Sequence, residues 1–314
     1  MRIVLAATAV LALLGTAACS AASPRREAPV PVLPDGATSA PAPAAPDTSC
    51  NPRASLRPSG ALPAPGALPA GSRMAEIRRS GHLVLGTSQD AVLFSSRNPL
   101  TGRIEGFDVD MGREIAKAIF GDPEKLQIKV VPRSERANWV RDGKVDLVIS
   151  TMTANCARWK EVDFSTTYYV SGQRVLVAKD SIVKSIDDLD RQTVCAAAGS
   201  TSLDNIAKQP GKPIAVAKPT FGECLVAFQQ NEVVAVSTDD TILAGLAAQD
   251  PYAKVVGPPF TVEPYAIAIS KKHPDLTRFV NQVLDRARAD GTWAAIYYKW
   301  LAGKPPTPPA AQYR

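Results

Sequence analysis

From Arg73 to Leu301 the chain alternates short apolar runs with segments of helical spacing, and this alternation constrains the fold more than any other feature. HLVLGTS reads as a strand, and GFDVDMGREIAKAIFG as a helix with Asp108 near its cap. Met111, Ile115 and Ile119 recur there at helical spacing and form one apolar face. KVVPRSERANWVRDGKVDLVISTMT gives strand, helix and strand, with Ser134 available as a cap. After Arg174 the pattern restarts through RVLVAK, TVCAAAGSTS, ECLVAFQQ and VVAVSTDD. It closes with YAIAIS and a long helix from Pro274, whose buried face is Leu276, Phe279, Val280, Val283 and Leu284. Proline suits a first helical position, because its missing N–H would go unpaired there anyway. Alternating strands and helices predict open α/β sheets with right-handed crossovers. Roughly 230 residues are enough for two lobes of ordinary size. Ligands of such sheets sit outside the carboxyl ends of the strands, which selects the loops TSQDAVLF, STMTANCAR, AAGSTS and STDDT.

The flanking segments read differently. Arg2 precedes an apolar run from Ile3 to Leu14 and the small residues TAAC. That is the layout of a secretory signal, with a run too short to span a membrane comfortably as a mature helix. The segment GTAACS resembles a bacterial lipoprotein signal in which Cys19 becomes the lipidated first residue, although Thr16 stands where a leucine is usual. Plain secretion with nearby cleavage is the alternative. A lipid would tether the protein without spanning the membrane. Ser20 to Ser72 is crowded with proline, alanine and serine, a composition that cannot bury enough apolar surface to offset its ordering entropy. It is expected to act as an extended spacer, and KPPTPPAAQYR as a similar short tail.

Beyond Cys19 there are four cysteines, Cys50, Cys156, Cys195 and Cys224, an even number that in an exported chain favours disulfides over metal or catalysis. Three pairings are possible. The preferred one joins Cys195 with Cys224 and leaves Cys50 to tie the end of the spacer to Cys156. His82 and His273 stand alone in polar settings and no zinc spacing occurs. Asp108 and Asp110 are followed by no third ligand, so neither a metal nor a cofactor is expected. The formal net charge of +6 is spread out, with no basic run interleaved with aromatics, which argues against nucleic acid. A mild positive field can help attract a small anion.

Six segments, in order, resemble the extracellular amino-acid-binding proteins of ABC importers, the type II solute-binding proteins of family 3. They are G-F-D-V-D-M, D-G-K-V-D-L-V-I-S-T-M-T, R-x5-F-S-x2-Y-Y from Arg158 to Tyr169, A-G-S-T-S, A-V-S-T-D-D and D-G-T-W-A-A-I-Y-Y-K-W-L. The spacer, the lipid signal and the paired cysteines look most like the glutamate-binding lipoproteins of actinobacteria. The resemblance implies an α/β fold of two lobes, each an open sheet, joined by two crossing hinge segments around a ligand cleft that closes by hinge motion. Residues 1–18 would be the signal and 19–72 the lipidated linker. Residues 73–168 plus 261–302 would form the first lobe, 169–260 the second, and 303–314 the tail.

The resemblance also implies roles. Arg158 stands at the position of the arginine that grips the ligand's α-carboxylate, where a planar guanidinium can form a bidentate pair that lysine cannot. Thr153 would add its N–H and hydroxyl to that carboxylate, and Thr151 its carbonyl to the ammonium. Ser200 and Thr201 open a helix whose unpaired N–H groups favour an anion. Asp239 matches the aspartate that neutralises the ammonium, while Val234 replaces an acidic residue common five positions earlier. Aromatic slots that stack the ligand in glutamine-binding relatives are Ala91 and Arg133 here, with Phe94 nearby. Arg174 and Arg136 echo arginines of glutamate- and aspartate-binding relatives. Guanidinium groups in place of stacking surface favour a second carboxylate. Trp293, Tyr297 and Trp300 repeat at helical spacing and read as packing, and Tyr168 and Tyr169 as hinge lining.

The expected function is capture of an acidic amino acid, or its amide, by a monomeric lipoprotein on the outer face of the cell membrane. The partner would be an importer permease or a membrane sensor. A dehydratase-like enzyme on the same fold is the rival, but neither histidine falls in a cleft loop as a general acid or base would.

Overall fold

The computed structural model describes residues 50–301 and 305–314. The expected signal and Cys19 lie outside them. In the first lobe, five strands pair in the order Leu126–Val130, Leu83–Thr87, Leu147–Val148, Ala268–Ile269, Asp163–Phe164. The first three are parallel, and Ala268–Ile269 runs antiparallel to both its neighbours. The second lobe repeats the plan with Ile214–Lys218, Thr193–Ala197, Ala235–Asp239, Gln173–Ala178 and Ala253–Val256. Again three strands are parallel and the fourth is antiparallel.

In both sheets the antiparallel fourth strand is the one delivered by a crossing between lobes. Tyr169–Ser171 leads out of the first lobe and Glu263–Tyr265 leads back. The two pair antiparallel with Tyr169 opposite Tyr265 and Ser171 opposite Glu263. The hinge is therefore a two-stranded ribbon, with Tyr265 fully buried at its first-lobe end.

Each lobe has its own core. Helix Phe107–Phe120 buries Met111, Ile115 and Ile119 against Leu83 and Leu85, and Pro274–Ala289 adds Leu276, Phe279, Val280, Val283 and Leu284. The second core gathers Val175, Val194, Val236, Phe221 and Leu243. Asp108 does not cap its helix. It lies within the first turn, wholly buried, and accepts from the Thr151 amide and the Tyr168 hydroxyl. Ser134 is likewise no cap, falling inside the short turn Arg133–Glu135 that precedes helix Arg136–Arg141.

The described ends of the spacer and tail are ordered, contrary to their composition. Ala54–Ser55 pairs with Gln312–Tyr313 as a parallel ribbon. Asn281 donates to Ser55 Oγ at 2.8 Å and to Leu56 O at 2.7 Å, and Trp159 Nε1 donates to Pro52 O at 2.9 Å. Leu62 and Leu68 pack on the first-lobe core. The segments thus borrow apolar surface and donors from the first lobe that their own sequence lacks. Both disulfides form, Cys50–Cys156 and Cys195–Cys224. The second joins the sheet to helix Phe221–Gln229 across a separation of 29 residues. Loop-closure entropy makes such a link worth about 3–4 kcal/mol. The double substitution Cys195→Ala/Cys224→Ala is expected to lower stability in urea by that order.

Candidate functional site

The strand ends of both lobes meet across a narrow, nearly closed cleft. Its walls are Arg133, Arg136, Thr151, Thr153 and Arg158 from the first lobe, and Ser200, Thr201, Ser202, Phe221, Thr238, Asp239 and Ile242 from the second. Seven of the eight ligand residues expected from sequence thus line one space.

Arg158 is placed by the short helix Cys156–Glu161, whose cap Asn155 accepts from the Arg158 amide at 2.8 Å. Its guanidinium donates to Thr153 O at 2.7 Å and, across the cleft, to Gly199 O at 3.1 Å. Arg136, buried at the start of its helix, donates to Arg133 O at 3.0 Å, Ser150 O at 2.8 Å and the same Gly199 O at 3.4 Å. Burial holds the Arg158 guanidinium below its ordinary pKa and Arg136 well below, with the neighbouring Arg158 and Arg133 charges adding to the latter. Among the described residues neither arginine hydrogen-bonds a carboxylate. Arg133 differs: it donates to Asp90 at 3.0 Å and to Thr151 Oγ1 at 3.2 Å, and its guanidinium lies 4.8 Å from the Phe221 ring centroid.

Asp239 ends strand Ala235–Asp239 and is 4% exposed. One carboxylate oxygen accepts from the Tyr265 hydroxyl at 2.5 Å, and the other, Oδ1, is buried with no donor. Burial, then the charge of Glu263, pushes its pKa up to about 7 against the Tyr265 hydrogen bond. Asp108, behind Thr151, also sits at about 7, raised by burial while the Tyr168 and Thr151 donors hold it down. Thr151 adopts φ 43°, a turn that aims its amide at Asp108.

Thr153 and Thr201 are engaged differently from expectation. Both hydroxyls donate to Glu263 Oε2, at 2.6 and 3.0 Å, while Asn205 donates to Oε1 at 3.0 Å. Ser200 is the N-cap of helix Thr201–Ala207, its hydroxyl oxygen accepting from the Leu203 amide at 3.2 Å.

Arg174 is not brought to the cleft. Alternate strand residues project to opposite sides, and Gln173 takes the inward place, donating to Ser202 O at 3.1 Å and Ser237 Oγ at 2.9 Å. Arg174 donates instead to Gly257 O at 2.7 Å, in a separate groove with Lys184 and Lys254. Ala91 and Phe94 are wholly buried, and Phe94 packs on Phe107 and Tyr169 as core. Sequence reasoning missed Asp90, Phe221, Glu263 and Tyr265. Asp90 lay in a loop already selected, but its partners belong to distant segments and no local pattern announces them.

Two α/β lobes on a paired-strand hinge, with charged side chains converging between them, define a two-lobed solute-binding receptor of the type II architecture. The profile of the bacterial extracellular solute-binding proteins, family 3, matches residues 83–303, and the chain belongs to that family. It is 37% identical over 233 residues to the ABC transporter glutamine-binding protein GlnH of Bacillus subtilis, covering 74% of this chain and 85% of the relative. It is 30% identical over 227 residues to the glutamate-binding protein GluB of Corynebacterium efficiens, covering 68% and 76%. Among solved structures, an ancestral arginine-binding protein bound to glutamine matches with TM-score 0.67 and 32% identity, over 71% of this chain and 99% of that one. The L-cysteine solute receptor of Neisseria gonorrhoeae matches with TM-score 0.69 and 27% identity, over 73% and 93%.

The Tyr265 hydroxyl opposes the burial that raises Asp239. Tyr265→Phe is therefore expected to move the Asp239 titration further up from about 7, read as the pH midpoint of its carboxyl carbon by NMR.

Proposed function

We propose that the chain is an extracytoplasmic receptor that captures an acidic amino acid, glutamate or aspartate, and delivers it to an ABC importer. The carrying observation is a mismatch of charge inside the cleft. Arg136 and Arg158 both point at one backbone oxygen without a carboxylate partner. Against them stands one carboxylate oxygen without a donor, Asp239 Oδ1. A zwitterion with one further carboxylate answers all three groups. Arg158 takes the α-carboxylate in place of the Gly199 carbonyl, with Thr153, Ser200 and Thr201 beside it. Asp239 and the Thr151 carbonyl take the ammonium, and Arg136 takes the side-chain carboxylate.

Glu263 is the counterweight, since its charge raises Arg158 from the second crossing. Its two oxygens are occupied by neutral donors and it is 3% exposed, so it serves as a fixed part of the hinge. If that charge outweighs Arg136, the site accepts the neutral amide instead, as the name of the Bacillus relative would suggest. Arg133 supports either ligand as a flat surface, because Asp90 already neutralises it. Lipid attachment through Cys19 and a monomeric state complete the proposal, which treats the protein as a receptor with no reaction of its own. A membrane sensor in place of the permease would use the same closed form, provided it binds that form better than the open one.

Calorimetry with glutamate, aspartate, glutamine and asparagine tests the proposal. Tighter binding of the acids supports it, and preference for an amide overturns the acidic assignment. Each charge-assisted hydrogen bond contributes about 1.5–3 kcal/mol. Arg136→Gln is therefore expected to weaken glutamate at least about tenfold more than glutamine. Arg174→Ala is expected to leave both affinities within about twofold, because that side chain lies outside the cleft.

Binding also depends on pH. Asp239 must ionise to hold an ammonium, and its carboxyl sits at about 7 in the folded protein. The bound cation favours the ionised form, so protons are released on binding below that value. Glutamate affinity is expected to fall about tenfold between pH 8 and pH 6, and Asp239→Asn to flatten the profile while weakening binding throughout.

A further inference from the structure

The structure assigns Asp90 as the residue that latches the two lobes together: its carboxylate joins Arg133 of the first lobe to the leading amide of helix Phe221–Gln229 in the second. Oδ1 accepts from Arg133 Nη2 at 3.0 Å, and Oδ2 accepts from the Phe221 amide at 3.0 Å. The Arg133 guanidinium lies 4.8 Å from the centroid of the Phe221 ring, so charge, amide and ring form one contact across the cleft. No atom of a ligand is needed to complete it.

The Phe221 amide is one of the donors that a helix start leaves without an intrahelical partner. The cap residue Thr220 accepts from the Glu223 amide and leaves that of Phe221 to Asp90. A carboxylate there also meets the positive end of the helix. These terms exist only when the lobes meet. They therefore stabilise the closed form selectively and should slow ligand release rather than speed capture. The same loop makes a second approach to the other lobe. A Cβ on Gly245, in helix Asp240–Ala247, would stand 2.6 Å from Val92 Cβ, two residues after Asp90. Glycine at that point lets the loop seat deeply enough for Asp90 to reach Phe221.

Asp90 is thus a positioning residue. It holds Arg133 flat against the second lobe and out of the ligand's charge balance. Two variants test this from opposite sides. Asp90→Ala removes the acceptor, while Gly245→Ala obstructs the approach yet favours the helix that carries it. The readouts are hydrogen exchange at the Phe221 amide by NMR and ligand release by stopped flow, with glutamate as the probe. Both variants are expected to accelerate exchange at Phe221 and raise the release rate about tenfold, with the association rate within about twofold. Melting temperature should not fall in Gly245→Ala, which separates a lost latch from a damaged fold. Asp90→Asn keeps one acceptor and is expected to fall between wild type and Asp90→Ala. Wild-type exchange and release in both alanine variants overturn the assignment. The latch is inferred for the cleft proposed above as the ligand site, but its exchange readout needs no ligand. If glutamate fails to bind wild type, slow Phe221 exchange that Asp90→Ala abolishes still supports the latch, and rapid exchange in wild type overturns it.

Discussion

Three guanidinium groups share one small, largely buried cleft, and the rest of the site answers that crowding. Like charges held close in a poorly hydrated space repel, and each loses hydration that only other dipoles can replace. Each arginine here has a different remedy. Arg133 has a carboxylate and a ring. Arg136 has three carbonyls around it. Arg158 has the loop carbonyl of Thr153 and a borrowed one, Gly199 O, from the opposite lobe. Backbone carbonyls ease burial without cancelling charge, so the cleft keeps an appetite for anions that a salt-bridged site would have lost. Ligand affinity and protein stability pull against each other at these positions, as at other strained functional sites.

The hinge carries part of the same load. Glu263 and Tyr265 are both on the returning crossing strand, and one binds threonines from both lobes while the other holds Asp239. Any change in the angle of that ribbon must alter the donors around the Asp239 carboxylate. Bending and the shape of the cleft are thereby coupled through side chains two residues apart on the same face of the strand. The paired register, Tyr169 with Tyr265 and Ser171 with Glu263, keeps that face in place on both strands.

Much of this was legible in the residue order, and the failures have physical reasons. The open α/β sheets followed from periodicity, because a buried strand and an amphipathic helix each leave a local pattern, whereas the division into two lobes with crossing segments came from the family resemblance. Arg158, Thr153, Asp239 and Ser200 fell on strand ends and helix starts, where topology alone points. Arg174 misled because strand parity is decided by one residue, and Gln173 found better inward partners in Ser202 and Ser237. Asp90 and Glu263 were invisible, since each acquires its meaning from contacts with segments far along the chain. The proline-rich ends misled for a related reason. Composition measures what a segment can bury by itself, whereas residues 50–72 lie on a surface prepared by Asn281, Gln282 and Trp159.

Those ordered ends set a load path. Cys50 is bonded to Cys156, two residues before Arg158 on the same short helix, and the neighbouring Ala54–Ser55 ribbon grips the C-terminal strand. A pull on the chain ahead of Cys50 is therefore received covalently by the first lobe and goes no further. Among the described residues the second lobe meets the first through the hinge ribbon and the cleft contacts, away from that point of attachment. In mechanical terms the first lobe is the stator and the second the rotor, so a load taken up at Cys50 would leave the hinge free to open and shut.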